Sequence, residues 1–431
     1  MITNKERIVS YFNSGIRDTK DFKIGIEHEK FLFDQNKNKR VDYKTILKMF
    51  NALCEFGWKP IMEMGNIVGL QKEGKNITLE PGNQIELSGD KLNNIHEACA
   101  ESHDYLFELK QVTKKLGLKI VSAGFDPIST LSEVPNNPKQ RYKVMTNDMP
   151  NGGLLSLDMM YRTCGTQLNL DYNSEKDFIK KFKIINSLVP ISIALFANSS
   201  IVEKKNSGYM SYRSKVWQET SRGGLPEVFF DNMNFEKYAD FAINFPLLFI
   251  QNDKEYLSGE NYTFSDFMNG KIKEINNKLP TEDDLATHLS TIFTENRLKK
   301  YIELRSMDTC GWDCLCAGPA FNTGILYGNL DETFELISKW DKDKIINAYF
   351  EAPKKGFNTE LMGKDLLYWS SLLLNMSKKG LESRDILSKS GENEAKFLNH
   401  LEKLIDNKTT NADHMINKFS KDENLNELYD K

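Results

Sequence analysis

The chain has 431 residues, of which 40% are hydrophobic and 11% aromatic, enough for a sizeable core and against general disorder. Lysine and arginine number 57 against 61 aspartate and glutamate residues, a formal net charge of −4, so a nucleic-acid binder that relies on bulk positive charge is disfavoured. The six cysteines are too sparse for a disulfide scaffold at this length.

The expected elements of the first half alternate irregularly between helices and strands. Helices are expected over residues 1–17, 43–56 and 91–116, and strands over residues 22–34, 66–88, 118–124 and 159–172. Turn signals at residues 72–75 and 81–83 divide the segment 66–88 into hairpins. Strands that follow one another in hairpins favour an antiparallel sheet.

The second half is expected to be mostly helical, after a capping pattern at residues 174–177. Helices are expected over residues 188–197, 235–251 and 283–293, a strand over residues 297–306, and helices again almost to the end. Together, the two halves predict an α+β fold on an antiparallel sheet.

The longest apolar run, residues 188–197, is too short to cross a bilayer and indicates a buried helix. Residues 1–17 show no basic segment followed by an apolar one, the pattern typical of a secretory signal. We therefore expect a soluble cytoplasmic protein with no membrane and no nucleic acid as partner.

Several expected strands carry acidic or amide residues at every second position. The two-residue period of a strand places Glu27 and Glu29 on one face, about 7 Å apart. Glu80 and Glu86 flank the turn at residues 81–83 and are also evenly spaced. If these strands are neighbours, one face of the sheet gathers several carboxylates.

Two later strands show the same alternation, since Gln167 and Asn169, and then Glu303 and Arg305, are separated by aliphatic residues. Carboxylates gathered on one face repel each other and are costly to bury without cations. Oxygen ligands favour Mg²⁺ or Mn²⁺ over zinc, and several such ions suit a nucleoside triphosphate. The alternative is that each strand simply has a solvated outer face.

The common phosphate-binding and zinc motifs are absent. The sequence contains no G-x-x-x-x-G-K-[ST], no G-x-G-x-x-G after a strand and no H-E-x-x-H. A Walker-type ATPase, a Rossmann dehydrogenase and a zincin are therefore disfavoured. His28 lies on the opposite face from Glu27 and Glu29, which indicates a structural residue rather than a ligand.

Seven segments, in order along the chain, resemble glutamate–cysteine ligases of the plant and proteobacterial type. They are residues 25–31 (GIEHEKF), 79–89 (LEPGNQIELSG), 96–101 (HEACAE), 157–164 (LDMMYRTC) with 167–171 (QLNLD), 213–217 (RSKVW), 298–305 (LKKYIELR) and 315–321 (LCAGPAF). The resemblance covers about residues 22–327. The combination is specific, although no single segment is.

The resemblance implies a glutamine-synthetase-like fold, in which a curved antiparallel sheet is covered by outer helices. It implies ATP-dependent joining of the γ-carboxylate of L-glutamate to the amine of L-cysteine through γ-glutamyl phosphate, the first step of glutathione synthesis. The expected partners are therefore the small molecules L-glutamate, L-cysteine and ATP. We expect residues 1–382 to form the catalytic domain and residues 383–431 a helical extension packed on it.

Carried over residue by residue, the resemblance assigns roles to the polar strand residues. The ligands of Mg²⁺ or Mn²⁺ would be Glu27, Glu29, Glu80, Glu86, Gln167 and Glu303. Arg305 and Glu303 would be catalytic, and Arg305 would contact the transferring phosphate. The residues that bind substrate or ATP would be Asn169, Arg162, Arg213, Trp217 and Arg222. An ordinary structural role is the alternative for each arginine and for Trp217.

The resemblance also implies a redox-sensitive disulfide between Cys99 and Cys316, with two buried reduced thiols as the alternative. The cluster Cys310-x3-Cys314-x-Cys316 lacks the spacing of a zinc knuckle, so structural zinc is not expected there. The chain is expected to be a monomer or a redox-dependent homodimer.

Two other functions stay open from the sequence. One is a related carboxylate–amine ligase that uses a different amine. The other is a catalytically silent regulatory paralogue, against which the complete set of carboxylates argues.

Overall fold

The structure is a computed structural model and describes residues 1–252, 255–422 and 425–430. The helices are α1 (Lys5–Asn13), α2 (Tyr43–Cys54), α3 (Ile95–Leu116), α4 (Gln140–Asp148), α5 (Ser156–Arg162), α6 (Glu175–Ser187), α7 (Val189–Leu195), α8 (Tyr212–Gln218), α9 (Phe235–Asn244), α10 (Phe264–Met268), α11 (Glu282–Ser290), α12 (Ala317–Thr323), α13 (Leu330–Ile337), α14 (Lys342–Lys355), α15 (Leu366–Arg384), α16 (Asn399–Asp406) and α17 (Asn411–Asp422).

The strands are β1 (Ile24–Asp34), β2 (Lys39–Arg40), β3 (Lys59–Glu63), β4 (Asn66–Lys72), β5 (Lys75–Leu79), β6 (Ile85–Ser88), β7 (Leu118–Val121), β8 (Gly165–Leu170), β9 (Ile201–Val202), β10 (Lys205–Asn206), β11 (Phe249–Asn252), β12 (Glu255–Ser258), β13 (Asn296–Leu298), β14 (Ile302–Asp308), β15 (Glu360–Leu361) and β16 (Lys364–Asp365). The main sheet has the strand order β13-β14-β8-β1-β6-β5-β4-β3, and β2 and β7 also pair with β1. All of its pairings are antiparallel, so the expected α+β class is confirmed.

Strand β1 is the centre of the main sheet. Its first half pairs with β6 on one edge and β8 on the other. Its second half, from Phe31 to Asp34, pairs with β7 and β2 instead. Segments that are distant in the sequence therefore meet along one strand of 11 residues.

Aliphatic side chains of the main sheet point to the helix-covered side. Leu168 and Leu170 of β8 and Ile302 and Leu304 of β14 join a large core cluster that includes helices α6, α7, α12, α14 and α15. Strands β4 to β6 pack in the same way against α2 and α3 in a second cluster. Because side chains alternate along a strand, the intervening polar residues share the other face of the sheet.

The helix ends follow the local sequence. Asn94 accepts a hydrogen bond from the backbone N–H of Glu97 and begins α3, and Gly117, at φ +67°, ends it in the left-handed conformation. Ser174 caps α6 through the N–H of Asp177, as its capping pattern predicts. These caps fix where α3 leaves β6 and where α6 leaves β8.

Residues 159–172 were expected to form one strand, and this prediction is wrong for their first part. Residues 159–162 belong to helix α5, and the strand begins only at Gly165. Met159, Met160 and Tyr161 are buried in a third core cluster. A short apolar run of this kind cannot be assigned to a helix or a strand from its periodicity alone.

Two other expected elements are shorter than predicted. Helix α9 ends at Asn244 rather than continuing to residue 251, because Pro246 disfavours helical backbone at Phe245, which is extended at ψ 136°. The strand expected over residues 297–306 is two antiparallel strands, β13 and β14. The turn between them contains two lysines and a tyrosine, without the glycine, proline or asparagine that usually indicates a turn.

The segment after residue 383 contacts the rest of the protein at several points. Leu398, Leu401 and Leu404 belong to the large core cluster. The Glu394 carboxylate accepts a hydrogen bond from the N–H of Ile95 at 2.7 Å. The division into residues 1–382 and 383–431 stays a prediction, and residues 423–424 and 431 of the second part lie outside the described residues.

Among the described residues, no helix combines the length and the apolar character needed to cross a bilayer.

Candidate active site

The register of the main sheet brings most of the predicted site residues onto one face. Glu29 of β1 lies opposite Glu86 of β6. Glu27 of β1 lies opposite Gln167 of β8. Asn169 of β8 lies opposite Glu303 of β14. Directly opposed residues in an antiparallel pair project from the same face, so these side chains form one continuous polar surface.

One part of this surface, the acidic half, consists of Glu27, Glu29, Glu80 and Glu86. Burial raises the pKa of Glu27 to about 7, with a further contribution from Glu303 and Glu86. Burial, Glu86 and Glu80 raise the pKa of Glu29 to about 8. Burial and Glu80 also raise the pKa of Glu86. The buried carboxylates of the acidic half therefore resist ionisation, because the effect of burial outweighs the positive charges near them.

The acidic half is held mainly by neutral donors. Asn169 Nδ2 donates to Glu27 at 2.7 Å, and the N–H of Gly165 donates to Glu29 at 2.6 Å. Thr78 Oγ1 donates to Glu86 at 2.6 Å. Among the residues the structure describes, none of the four carboxylates has an ion pair. The set offers oxygen atoms that no protein cation neutralises directly.

Glu80 joins the acidic half from the turn between β5 and β6. The N–H of Asn83 donates to the Glu80 carbonyl, and Asn83 adopts φ +60°, a left-handed conformation that asparagine tolerates. The hydroxyl of Tyr142 donates to the Glu80 carboxylate at 3.2 Å. Lys139 and Arg141, in the same segment as Tyr142, bring positive charge towards this edge, and neither residue was singled out by the sequence.

The other part of the surface, the cationic half, consists of Glu303 and the basic residues around it. Arg297 Nε, Lys299 Nζ and Arg305 Nη1 lie 2.9, 2.8 and 2.7 Å from the Glu303 carboxylate. Burial alone would raise the pKa of Glu303, but these three cations hold it well below its usual range. Glu303 is therefore ionised in the folded protein.

Trp217 contacts the guanidinium groups of Arg213 and Arg305. Arg213 and Arg305 each stack on its ring, with the guanidinium carbon 5.5 Å from the ring centroid. Arg305 also donates to Gln167. Buried N–H groups of all three residues, at Arg213 Nε, Arg305 Nε and Trp217 Nε1, have no hydrogen-bond partner among the described residues. Unpartnered donors gathered at one place are available to an anionic ligand.

Contacts with Arg305 and Asp308 fix the orientation of the Arg213 guanidinium group. Its Nη2 donates to the Arg305 carbonyl at 2.7 Å, and its Nη1 lies 3.9 Å from Asp308. Asp308 also accepts hydrogen bonds from the hydroxyl groups of Ser199 and Ser211. A Cβ at Gly165 would lie 2.7 Å from Arg213 Nη2, so this position leaves space for the guanidinium group.

The other two predicted arginines have partners within the protein. Arg162 pairs with Asp158 at 2.8 Å and with Glu203 at 3.1 Å. Arg222 donates to the carbonyl groups of Thr291 and Pro246. These contacts hold loops of the fold, and a role of Arg162 or Arg222 in binding substrate or ATP stays a prediction.

Arg297 and Lys299 are the main residues that sequence reasoning missed. Residues 297–306 were interpreted as one strand, which places Arg297 far from Glu303. The hairpin instead sets Arg297 directly opposite Glu303. A basic residue six positions before an acidic one, with two lysines between, was the only available signal.

Two disulfides lie near one another in the structure. Cys99 and Cys316 are bonded, with their Cα atoms 5.7 Å apart, as the resemblance implied. Cys310 and Cys314 are also bonded, a pair that the sequence analysis did not anticipate. Thr309, just before Cys310, donates to the backbone carbonyl of Glu29 at 3.0 Å, which connects this segment to β1.

Comparison with known proteins gives a consistent result. The chain is 39% identical over 418 residues to the chloroplastic glutamate–cysteine ligase of Nicotiana tabacum, covering 96% of this chain and 79% of the tobacco protein. It is 39% identical over 421 residues to chloroplastic glutamate–cysteine ligase A of Oryza sativa subsp. japonica, covering 96% and 84%. It is 37% identical over 422 residues to the chloroplastic enzyme of Arabidopsis thaliana, covering 96% and 80%.

These relatives correct the expected location. All three are named as chloroplastic proteins, and this finding contradicts the prediction of a cytoplasmic protein, which is therefore wrong. That prediction depended on a missing apolar segment and few cysteines. Neither feature distinguishes one aqueous compartment from another.

A solved structure shows the same fold. The glutamate–cysteine ligase of Francisella tularensis, in complex with AMP, matches with a TM-score of 0.51 and 12% identity over 93% of this chain and 85% of that one. The glutamine-synthetase-like ligase fold expected from the sequence is thereby confirmed. The profile of Glutamate-cysteine ligase family 2 matches residues 23–431. The chain belongs to this family of ligases.

Proposed function

We propose that the protein uses ATP to join the γ-carboxylate of L-glutamate to the amine of L-cysteine, giving γ-glutamylcysteine, ADP and phosphate. The observation that supports this best is the opposite charge imbalance on one sheet face. Within the described part of the chain, no carboxylate of the acidic half has an ion pair, and the cationic half presents unpartnered donors. A nucleotide with its divalent ions supplies what both halves lack.

The acidic half fits Mg²⁺, with Mn²⁺ as the alternative. Glu27, Glu29, Glu80 and Glu86 offer hard oxygen atoms without direct ion pairs, which is the donor set these ions prefer. Gln167 and Glu303 complete the proposed set from neighbouring strands. Bound there, the ions would neutralise phosphate charge.

Arg305 is proposed to contact the phosphoryl group during transfer. Its Nη1 is held by Glu303 at 2.7 Å, while its Nε points away from any partner in the described residues. A guanidinium group fixed in this way needs little reorganisation to stabilise developing negative charge. Arg213 and Trp217, with similar unpartnered N–H groups, are proposed to bind carboxylate or phosphate oxygens nearby.

Arg162, Arg222 and Asn169 are proposed as supporting residues of the same pocket. Asn169 Nδ2 already orients Glu27, and its Oδ1 is buried without a partner. The two arginines position the surrounding loops through the contacts described above.

The reaction proceeds in two displacements. A γ-carboxylate oxygen of glutamate attacks the γ-phosphorus of ATP, and the bond to ADP breaks, which gives γ-glutamyl phosphate. The cysteine amine then attacks the acyl carbon, phosphate leaves, and the nitrogen loses a proton to solvent. Burial of the site limits attack by water on the acyl phosphate.

The test combines a panel of acceptor amines with a reagent that traps the activated glutamate. The protein is incubated with ATP, Mg²⁺ and glutamate, cysteine or another amine is added, and ADP and dipeptide are measured. We expect cysteine to be the preferred acceptor and hydroxylamine to capture the activated glutamate as a hydroxamate. Faster turnover with another amine would overturn the acceptor assignment, and no turnover with any amine would indicate a silent paralogue.

We also propose that the Cys99–Cys316 disulfide regulates the enzyme. It joins α3, which follows the strand of Glu86, to the residue before α12, which follows the strand of Glu303. Activity that stays the same with dithiothreitol and in Cys99→Ser would exclude this role.

Whether the chain is a monomer or a redox-dependent homodimer is measured in the same samples by light scattering.

A further inference from the structure

A groove of about 540 Å³ lies away from the polar sheet face, between α3, the segment before α12 and helix α16. Its lining includes Cys99, His103, Trp312, Cys316 and His400. The proposed reaction uses none of the polar atoms in this groove. The groove therefore needs its own explanation.

Cys99 and His103 are four residues apart on α3. Residues at this spacing lie one above the other on the same face of a helix. Cys316, directly before α12, completes a group of three. The nitrogen and sulfur ligand atoms of Cys99, His103 and Cys316 all lie within 4.8 Å of one another.

The ring of His103 is held in place but makes no polar contact. It stacks on Trp312, with the ring centroids 3.6 Å apart and the planes 31° from parallel. Neither ring nitrogen has a hydrogen-bond partner within the described part of the chain. An oriented imidazole beside two sulfur atoms is an available metal ligand.

We propose that Cys99, His103 and Cys316 form a Zn²⁺ site when the Cys99–Cys316 disulfide is reduced. Two thiolates and an imidazole are the ligands that Zn²⁺ prefers, and the groove leaves the fourth position open to water. The sequence around residues 310–316 did not indicate this site because Cys99 lies 217 residues from Cys316.

A dithiol reductant supplies the electrons and protons that reduce the Cys99–Cys316 disulfide. The reductant gives two electrons and two protons to the Cys99–Cys316 bond and becomes a disulfide itself, which leaves two thiols on the protein. Zn²⁺ then binds, and each thiol releases its proton as it becomes a ligand. The ion thus replaces the disulfide as the connection between α3 and the start of α12.

The experiment measures zinc on the reduced full-length protein in excess Mg²⁺, which occupies the carboxylate site. We expect one Zn²⁺ per chain by competition with a chromogenic chelator after reduction, and none in the oxidised protein. Co²⁺ used in place of Zn²⁺ should give a sulfur-to-metal charge-transfer band. That band reports thiolate ligands directly, which carboxylates cannot produce.

Variants separate the three ligands from nearby groups. Outer partners in metal sites typically contribute about 10–100-fold in affinity, so loss of a direct ligand in His103→Gln should weaken binding at least that much. The matched control is His96→Gln, on the same helix, where the ring already contacts the Ile386 carbonyl. Cys54→Ser and the double variant Cys310→Ser/Cys314→Ser should bind zinc normally.

Three results would overturn the proposal. They are equal zinc binding before and after reduction, unchanged affinity in His103→Gln, and loss of zinc in the Cys310→Ser/Cys314→Ser variant. If Cys99→Ser fails to fold, the Co²⁺ spectrum of the reduced Cys310→Ser/Cys314→Ser variant, which keeps all three ligands, still decides the question. A reduced protein without the charge-transfer band has no such site.

Discussion

The two halves of the polar sheet face show opposite electrostatics although they lie on adjoining strands. In the acidic half, burial raises the pKa values of Glu27 and Glu29 to about 7 and 8. In the cationic half, three basic side chains hold the pKa of Glu303 well below its usual range. The same residue type thus differs because of its neighbours rather than its burial. The difference indicates a surface built for a ligand with both positive and negative parts.

The largest effect is expected for Arg305→Ala. Removing the guanidinium group takes away a fixed donor at developing charge, so we expect kcat to fall by about 1,000-fold. ADP release at saturating substrate measures kcat, with Arg7→Ala, at an exposed position of helix α1, as the matched control. A decrease in kcat of less than about tenfold would mean that the cationic half stabilises the fold and does not act on phosphoryl transfer.

Glu303→Gln removes the negative charge at the centre of the cationic half. The change leaves Arg297, Lys299 and Arg305 without their shared counter-charge, so we expect most activity to be lost, about 100-fold, in a folded protein. Circular dichroism checks the fold, and Glu55→Gln at the surface serves as control. A near-normal rate would refute both the ligand role and the positioning role of Glu303.

Glu27→Gln tests the acidic half through stability and pH. The folded pKa is raised, so the folded state holds the proton more tightly than the unfolded chain. Metal-free protein should therefore lose stability as pH rises from about 4.5 to 8. At about 1.4 kcal/mol per pKa unit, Glu27 alone costs roughly 3 kcal/mol at pH 8.

We expect Glu27→Gln to melt higher than the unsubstituted protein at pH 8 without metal, and equally at pH 4.5. Added Mg²⁺ should stabilise the unsubstituted chain more at pH 8 than at pH 6, and the variant much less. Identical melting profiles of the two proteins across this pH range would show that the negative charge of the acidic half is already neutralised in solution.

The smallest effect is expected for Trp217→Phe, which keeps an aromatic face beside Arg213 and Arg305 but removes the unpartnered Nε1–H. The loss of one hydrogen bond to substrate should raise a KM about fivefold and leave kcat nearly unchanged. Steady-state kinetics measure this, with the exposed Trp312→Phe as comparison. An unchanged KM for both glutamate and ATP would place Trp217 in packing alone.

The sequence allowed the composition of the polar face to be predicted, but not its charge balance. Period-2 alternation was sufficient to put Glu27 with Glu29, and Glu303 with Arg305, on common faces. The partner across each strand depends on register, which one sequence does not reveal. Arg297 was missed for this reason, since its hairpin lacks a usual turn residue.

The cysteine pairs illustrate the same limit. Cys99–Cys316 was accessible only through family resemblance, because 217 residues separate the two. Cys310–Cys314 was considered only as part of a possible metal cluster. Its closure depends on the backbone path between β14 and α12, which brings the two Cα atoms to 5.8 Å.

The central position of β1 has a consequence for how the protein is made. The strand is synthesised well before Thr309, which hydrogen-bonds to the Glu29 carbonyl and lies 280 residues later. Pairing over such distances is slow and leaves strand edges open until the partner arrives. Asp430, which bonds to Ser122 beside β7, comes later still. The nascent chain therefore carries its buried carboxylates unassembled until strand β14, which contributes Glu303, has been made.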